Sequence, residues 1–212
     1  MRPHVTVNCA MTADGKLAGR RRKQVTISSP EDLARVKELR KEVDAILVGI
    51  GTVLSDDPHL TVKGSTLKKN PIRVVLDSRG RTPENARVLD AQARTIIATV
   101  EDCDKVWRNA EVLRIGKDRV DLDLLLMKLH EIGVRTLLVE GGGEVLWSFF
   151  KSGLVDHYSV FVGSRIMGGR TAPTPVDGEG FDDQEALKLK LIEWVPLGDG
   201  VLLEYEVCND GG

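Results

Sequence analysis

The chain has 212 residues and a mass of 23.3 kDa, a length that suits one α/β domain over 1–212 better than two. Hydrophobic residues at 42% and charged residues at 29% exclude a disordered chain, a collagen-like repeat and a disulfide scaffold. With 30 Lys+Arg against 32 Asp+Glu the formal charge is -2, so no net basic field recruits nucleic acid or an anionic membrane, and the expected partner is a small, specific ligand.

Three widely spaced cysteines, Cys9, Cys103 and Cys208, fit neither a disulfide framework nor a zinc site and are expected to be reduced thiols. No apolar run approaches the roughly 20 residues of a membrane-spanning helix. The opening MRPHVTVNCAM lacks the pattern of a secretory leader, and the expected location is the cytoplasm.

In chain order, β-branched or apolar runs predict buried strands over 5–10, 45–50, 72–77, 95–100 and 135–140. After the first, Ser29-Pro30-Glu31-Asp32 opens an amphipathic helix, with Ser29 as cap, Pro30 in the first turn, acids at the positive end, and Leu33, Val36, Leu39 and Val43 at helical spacing. Asp121 opens a second helix that stops at Ile132-Gly133. Strands alternating with helices predict a mostly parallel central sheet covered on both faces. At the C-terminal end, two-residue alternation on either side of the turn 196–200 predicts an antiparallel hairpin. The 163–181 loop, rich in Gly and Pro, is long enough to be functional.

Four segments carry candidate chemistry. The first is the run from Thr136 to Phe150, where a buried strand ends at Glu140, passes Gly141, Gly142 and Gly143, and starts a helix at Glu144 and Val145. Bare backbone before a helix N-terminus suits a pyrophosphate, and a tight turn without a ligand stands beside that reading. It is not GxGxxG and sits late in the chain, which disfavours a dinucleotide-binding domain of the doubly wound kind. Glu140 itself, at the carboxyl edge of the sheet, suits a ligand that offers amino groups, or is a solvated strand end. In the second segment Thr52 and Asp56 lie one helical turn apart and suit a sugar or amide, the plainer alternative being a helix cap and a turn at Asp56-Asp57-Pro58. In the third, Ser78, Arg79, Gly80 and Arg81 after a strand make a cradle for a phosphate monoester, such as an NADP 2′-phosphate, or carry two solvated arginines.

The fourth is near the N-terminus, where Asn8 and Cys9 end the first strand and an Asp14-Gly15 turn presents Lys16 to the same crevice. The basic run Arg20-Arg21-Arg22-Lys23 has no interleaved aromatics and reads as a solvated loop. The four histidines are scattered, and no HxE followed by PCxxC is present, so the sequence offers no metal site and no deaminase centre.

Taken in order, NxxMTxDGKLA (8–18), SSPEDLARVKELR (28–40), VDAILVGIGTVLSDDPHLTV (43–62), PIRVVLDSRGR (71–81), LLVEGGGEVLWSFF (137–150) and GLVDHYSVFVGSRIMGG (153–169) resemble the riboflavin-pathway pyrimidine reductase family over nearly the whole chain. The fold of that family is similar to dihydrofolate reductase, and the present chain looks like its stand-alone archaeal and fungal form. The resemblance implies NADPH-dependent reduction of 2,5-diamino-6-ribosylamino-4(3H)-pyrimidinone 5′-phosphate at C1′ of its ribosyl group, NADH being left open as cofactor. It implies that Thr52, Asp56, Ser78, Arg79, Gly80, Arg81, Gly141, Gly142, Gly143, Glu144 and Val145 face the cofactor. It further implies that Asn8, Arg40, Leu60, Lys63 and Glu140 face the phosphorylated aminopyrimidine, that Lys16 and Glu140 are catalytic, that no metal is used, and that the protein is a homodimer. Arg40 stands at the end of the first helix, where carbonyl capping is its plainer role. A pterin or folate reductase of the same fold, which would need no phosphate partner at Arg40 or Lys63, and a non-catalytic nucleotide-binding protein are the competing expectations.

Overall fold

The structure is a computed structural model and describes residues 1–20, 25–62, 64–67, 69–182 and 184–208. Its elements in order are β1 (His4–Thr12), α1 (Pro30–Glu42), β2 (Ala45–Gly49), α2 (Ile50–Asp56), β3 (Ile72–Leu76), β4 (Thr95–Thr99), β5 (Glu111–Arg114), α3 (Leu122–Glu131), β6 (Thr136–Gly141), α4 (Gly143–Lys151), β7 (His157–Gly163), β8 (Lys188–Leu197) and β9 (Gly200–Cys208), with one 3-10 turn at Arg87–Leu89. Among the described residues nine strands form a mostly parallel sheet in the order β5-β4-β3-β2-β6-β1-β7-β9-β8. The chain divides into two compact units, Met1–His4 with Lys37–Leu138, and Val5–Val36 with Val139–Gly212. Among the described residues no helix is long and apolar enough to cross a membrane.

In the first unit β2, β3, β4 and β5 pair in parallel. All of Ala45–Gly49 and Thr95–Thr99 is buried, which is why these strands read as unbroken apolar runs. Their core joins Ile46, Val48, Val75 and Ile97 to Ile50, Val53 and Leu60, with Val88, Leu89 and Trp107 closing over it. One cation lies inside: Arg73 is fully buried and donates to Thr95 Oγ1 (2.9 Å), Asp90 Oδ1 (2.8 Å) and the carbonyls of Asp90 and Ala93 (both 2.6 Å). Partial burial pushes the Asp90 carboxyl up, but hydrogen bonds from Arg73, Gln92 and His59 outweigh it and hold the group at about 2. Helix α3 is capped as its sequence predicts, Asp121 accepting from Leu124 N at 2.9 Å, and the chain leaves it through Gly133 at φ 98°.

In the second unit β1 and β7 pair in parallel, from Thr6 opposite His157 to Thr12 opposite Gly163, and β7, β9 and β8 pair antiparallel. Helices cover both faces here. Phe150 of α4 meets Tyr158 edge-on at 5.3 Å, while Arg35 of α1 reaches the opposite face at Asn8 and Ser159.

Several expectations need correction. Ser29 does cap α1, its Oγ accepting from Asp32 N at 3.2 Å, and Leu39 and Val43 pack against the core as their spacing predicts, but the residue of that helix that is fully buried is Asp32. Asp32 is buried whereas Leu33 is 45% exposed, because Arg35 neutralises Asp32 (2.8 Å) and spends its remaining donors on Asn8 and Ser159. Strand β1 runs to Thr12, which puts Asn8 in mid-strand. Strands β5 and β7 fall outside the expected set. The hairpin turn is only Gly198-Asp199, with Gly198 at φ 60°, and Pro196 lies within β8 opposite Val201, tolerated on an edge strand. A register shift between Leu191 and Glu193 interrupts the alternation of β8. Leu189, Leu191, Ile192 and Trp194 are all exposed there, Trp194 by 62%.

Candidate active site

The candidate residues of the first unit leave the carboxyl ends of β2 and β3. Gly49 opens α2 without a side-chain cap, and Thr52 and Asp56 sit within that helix, half-buried and one turn apart, so Thr52 is not its cap. Beyond α2, Asp57 turns left-handed at φ 41° and its carboxylate accepts from Arg87 N at 2.8 Å. Leu60 follows at φ 50°; its side chain belongs to the core, so any ligand contact there falls to the main chain. Arg40 is half-buried in the last turn of α1. Lys63 lies outside the described residues, as do Arg21, Arg22 and Lys23 of the basic run.

After β3, the buried Asp77 closes a six-residue loop on itself. Its Oδ2 accepts from both Thr82 N and Thr82 Oγ1 at 2.7 Å, and its carbonyl accepts from Gly80 N at 3.0 Å. Gly80 takes φ 63° and backs onto Cys103, where a Cβ would stand 2.9 Å from Sγ. Ser78 Oγ accepts from Val120 N at 3.4 Å. Arg79 and Arg81 project from this braced turn into solvent and pair with no described side chain.

In the second unit, β1 ends in a turn that closes on Lys16. Thr12 Oγ1 accepts from Lys16 N (3.0 Å) and donates to Asp14 Oδ1 (2.6 Å), and Gly15 turns at φ 75°. Asp14 also accepts from the N–H groups of Met167 (3.0 Å) and Gly168 (2.6 Å). These bonds, that from Thr12 first, hold its carboxyl at about 2. Asn8 is 6% exposed, its carboxamide oxygen accepting from Arg35 at 2.7 Å, so its side chain works inside the fold. Ser159 carries the same network on to Glu204 (2.9 Å), which meets His157 at 2.6 Å.

Strand β6 continues one residue past Glu140, which is half-buried, and ends at the buried Gly141. The three glycines then serve different purposes. Gly142 is exposed, takes φ 76° and leaves α4 without a side-chain cap. Gly143 is buried because the 163–181 loop lies on it: Asp177 N donates to its carbonyl at 3.2 Å, and a Cβ would run into the carbonyl of Thr174. Only Gly142 therefore has the open backbone expected of a phosphate cradle, and Gly143 is bare for packing. Glu144 is exposed and Val145 half-buried in the first turn of α4.

Taken unit by unit, the donors present fit phosphate groups: in the first unit two exposed guanidiniums on a rigid turn suit a phosphate monoester, and in the second unit an uncapped helix start suits a pyrophosphate. The sequence pointed to these strand ends but missed Asp14 and Asp177 as loop anchors, and the buried Asp32 with its half-buried partner Arg35. The last two had a signal, since opposite charges three residues apart on one helix can share a buried side.

Residues 3–203 match the RibD C-terminal domain model. The chain is 46% identical to the 2,5-diamino-6-ribosylamino-4(3H)-pyrimidinone 5′-phosphate reductase of Methanothermobacter thermautotrophicus, over 98% of this chain and 99% of that protein. It is 48% identical to the reductase of the same name from Archaeoglobus fulgidus, over 85% of this chain and 89% of that protein. Among solved structures, the Thermotoga maritima deaminase/reductase superposes with a TM-score of 0.85 at 30% identity, covering 98% of this chain, which spans 57% of that longer one. The Saccharomyces riboflavin biosynthesis reductase Rib7 has the same fold, with a TM-score of 0.79 at 23% identity over 98% of this chain and 90% of that one. The chain belongs to the RibD C-terminal domain family.

Proposed function

We propose that this protein is the pyrimidine reductase of riboflavin biosynthesis, reducing 2,5-diamino-6-ribosylamino-4(3H)-pyrimidinone 5′-phosphate to its ribitylamino product with NADPH. The observation that carries this reading is identity of 46% and 48% to two archaeal reductases of that name, each matched over most of its own length. When bound, the reduced nicotinamide supplies a hydride for C1′ of the sugar, opened to its imine.

The chain's own groups bind and orient. Thr52, Asp56, Ser78 and Gly80 line the cofactor's side in the first unit, and Arg79 and Arg81 select NADPH over NADH by pairing with its 2′-phosphate. Gly141, Gly142, Gly143, Glu144 and Val145 serve the pyrophosphate in the second unit, with Gly142 making the close approach and Gly143 supporting it. Glu140 accepts hydrogen bonds from the amino groups of the pyrimidine, and Lys16, whose ammonium pairs with no described side chain, faces the ribosyl group. Arg40 and Lys63 pair with the 5′-phosphate, Leu60 contributes main chain, and Asn8 acts from within the fold through Arg35. Catalysis is orientation of C1′ toward the hydride rather than covalent chemistry.

The same reading makes the protein a cytoplasmic homodimer. The exposed apolar residues of edge strand β8 support the dimer, and the three free cysteines support a reducing compartment. The test is oxidation of NADPH by purified protein with the ribosylamino substrate and with its dephosphorylated form. The reading predicts turnover that depends on the 5′-phosphate; oxidation of NADPH by a pterin or folate instead would refute it.

A further inference from the structure

Residues 164–181 form neither helix nor strand, yet they are tied down at both ends. At the first end the anchor is the Lys16 turn. Ala13 N donates to the carbonyl of Arg165 (2.9 Å), Leu17 N to that of Pro173 (2.8 Å), and the Asp14 carboxylate accepts from Met167 N and Gly168 N. At the far end the anchor is α4. Asp177 N bonds the carbonyl of Gly143, and the Asp177 carboxylate accepts from Thr174 N (2.9 Å) and Oγ1 (2.8 Å), folding the segment down onto that glycine. Gly178 backs onto the Trp147 ring so closely that a Cβ would collide with it. Phe181 packs on the same ring at 4.6 Å, and Glu179 pairs with Lys151 at 3.2 Å. The segment is a strap joining the turn that carries Lys16 to the loop that carries Gly142.

We propose that Asp14 is a positioning residue for the reduction: its carboxylate fixes the strap to the Lys16 turn, so that Lys16 and the Gly142–Gly143 loop are held in one fixed relation. The argument is one of bond type and bond count. A carboxylate shared among one hydroxyl and two backbone N–H groups makes three charge-assisted bonds, and two of them cross to residues more than 150 positions away. The Lys16 ammonium has no such tie to a described side chain; its main chain bonds Thr12 through both N–H and carbonyl, so its position follows from the turn that Thr12 and Asp14 close. The proposal rests on the reading of Lys16 and Gly142 as substrate and cofactor groups.

Asp14→Asn tests it, because the amide replaces one acceptor with a donor facing an N–H. Trypsin reports the strap directly, since Arg165 and Arg170 are both exposed on it. The variant is expected to be cut faster at Arg170 and to turn over about tenfold more slowly per NADPH-binding site, with KM for the substrate moved far less, as loss of alignment predicts. Counting turnover per NADPH-binding site removes any effect of a smaller folded fraction. Thr12→Val, which keeps the shape and deletes both the bond to Asp14 and the bond from Lys16 N, is expected to show the same split and serves if Asp14→Asn does not fold. Faster cleavage with unchanged turnover per site would make the strap structural only and overturn the proposal, as would unchanged cleavage. A wild-type protein that does not oxidise NADPH with the substrate would overturn the functional reading itself.

Discussion

Arg79 and Arg81 offer a clean separation of binding from stability. Both guanidiniums are exposed and pair with no described side chain, while the turn that carries them is braced from beneath by Asp77, Thr82 and Gly80. Replacing either by Ala should therefore change stability by no more than about 0.5 kcal/mol, the range for surface positions without special contacts. A charge-assisted bond to a phosphate contributes about 1.5 to 3 kcal/mol, so one arginine lost should weaken NADPH binding by roughly tenfold to a hundredfold. Solvent exposure places each single variant at the low end of that range. NADH, which lacks the 2′-phosphate, should bind all variants alike. Fluorescence titration of both cofactors with Arg79→Ala, Arg81→Ala and the double variant measures this, with thermal melts on the same samples. Parallel losses of NADPH and NADH affinity would refute the assignment, as would unchanged NADPH affinity in the double variant.

Arg73→Met should cost about 3 to 5 kcal/mol, because the buried acceptors around the guanidinium lose their donor together; urea unfolding that shows less than about 1 kcal/mol would contradict the role given to this residue. Gly143→Ala should lower the melting temperature, since its methyl meets the Thr174 carbonyl, whereas Gly142→Ala should weaken NADPH binding more than Gly143→Ala does, at a backbone cost of about 1 to 3 kcal/mol for a side chain at φ 76° and ψ 128°. The reverse ranking would exchange their roles. In acid, the Asp14 and Asp90 carboxyls are held at about 2, below an ordinary aspartate near 3.9, so their contribution is complete above about pH 4 and is lost as pH falls toward 2. Urea midpoints that already decline between about pH 7 and pH 5 would place the responsible groups elsewhere. Trp194→Lys together with Leu191→Lys on β8 should convert the proposed dimer to monomer in sedimentation without unfolding it, and an unchanged mass would move the interface off that strand.

The buried parallel strands were legible because nothing but apolar side chains fits between covered faces, as in Ala45–Gly49. β7 was not, because His157 and Ser159 break its apolar run; both bond Glu204 from a strand more than 40 residues later, a partnership no local pattern reveals. The first turns of α1 misled for the related reason that Asp32, paired with Arg35, is buried there instead of Leu33, while Leu39 and Val43 pack against the core as expected. At the site, strand ends and glycines were visible as candidates, but their division of labour was not. Gly143 is bare for the sake of a loop more than 30 residues downstream, and Asp14 looks like an ordinary turn residue until Met167 and Gly168 are placed beside it. Asn8 was drawn to the strand end because β1 was expected to stop at Ala10, two residues short of Thr12.

The central claim is hydride transfer to C1′ of the ribosyl group. NADPH carrying deuterium on the transferred face of its nicotinamide, incubated with the protein and the ribosylamino phosphate, tests it in one mass spectrum. The account predicts a ribitylamino product labelled once, at C1′. An unlabelled product, or label found in the pyrimidine ring, would contradict it.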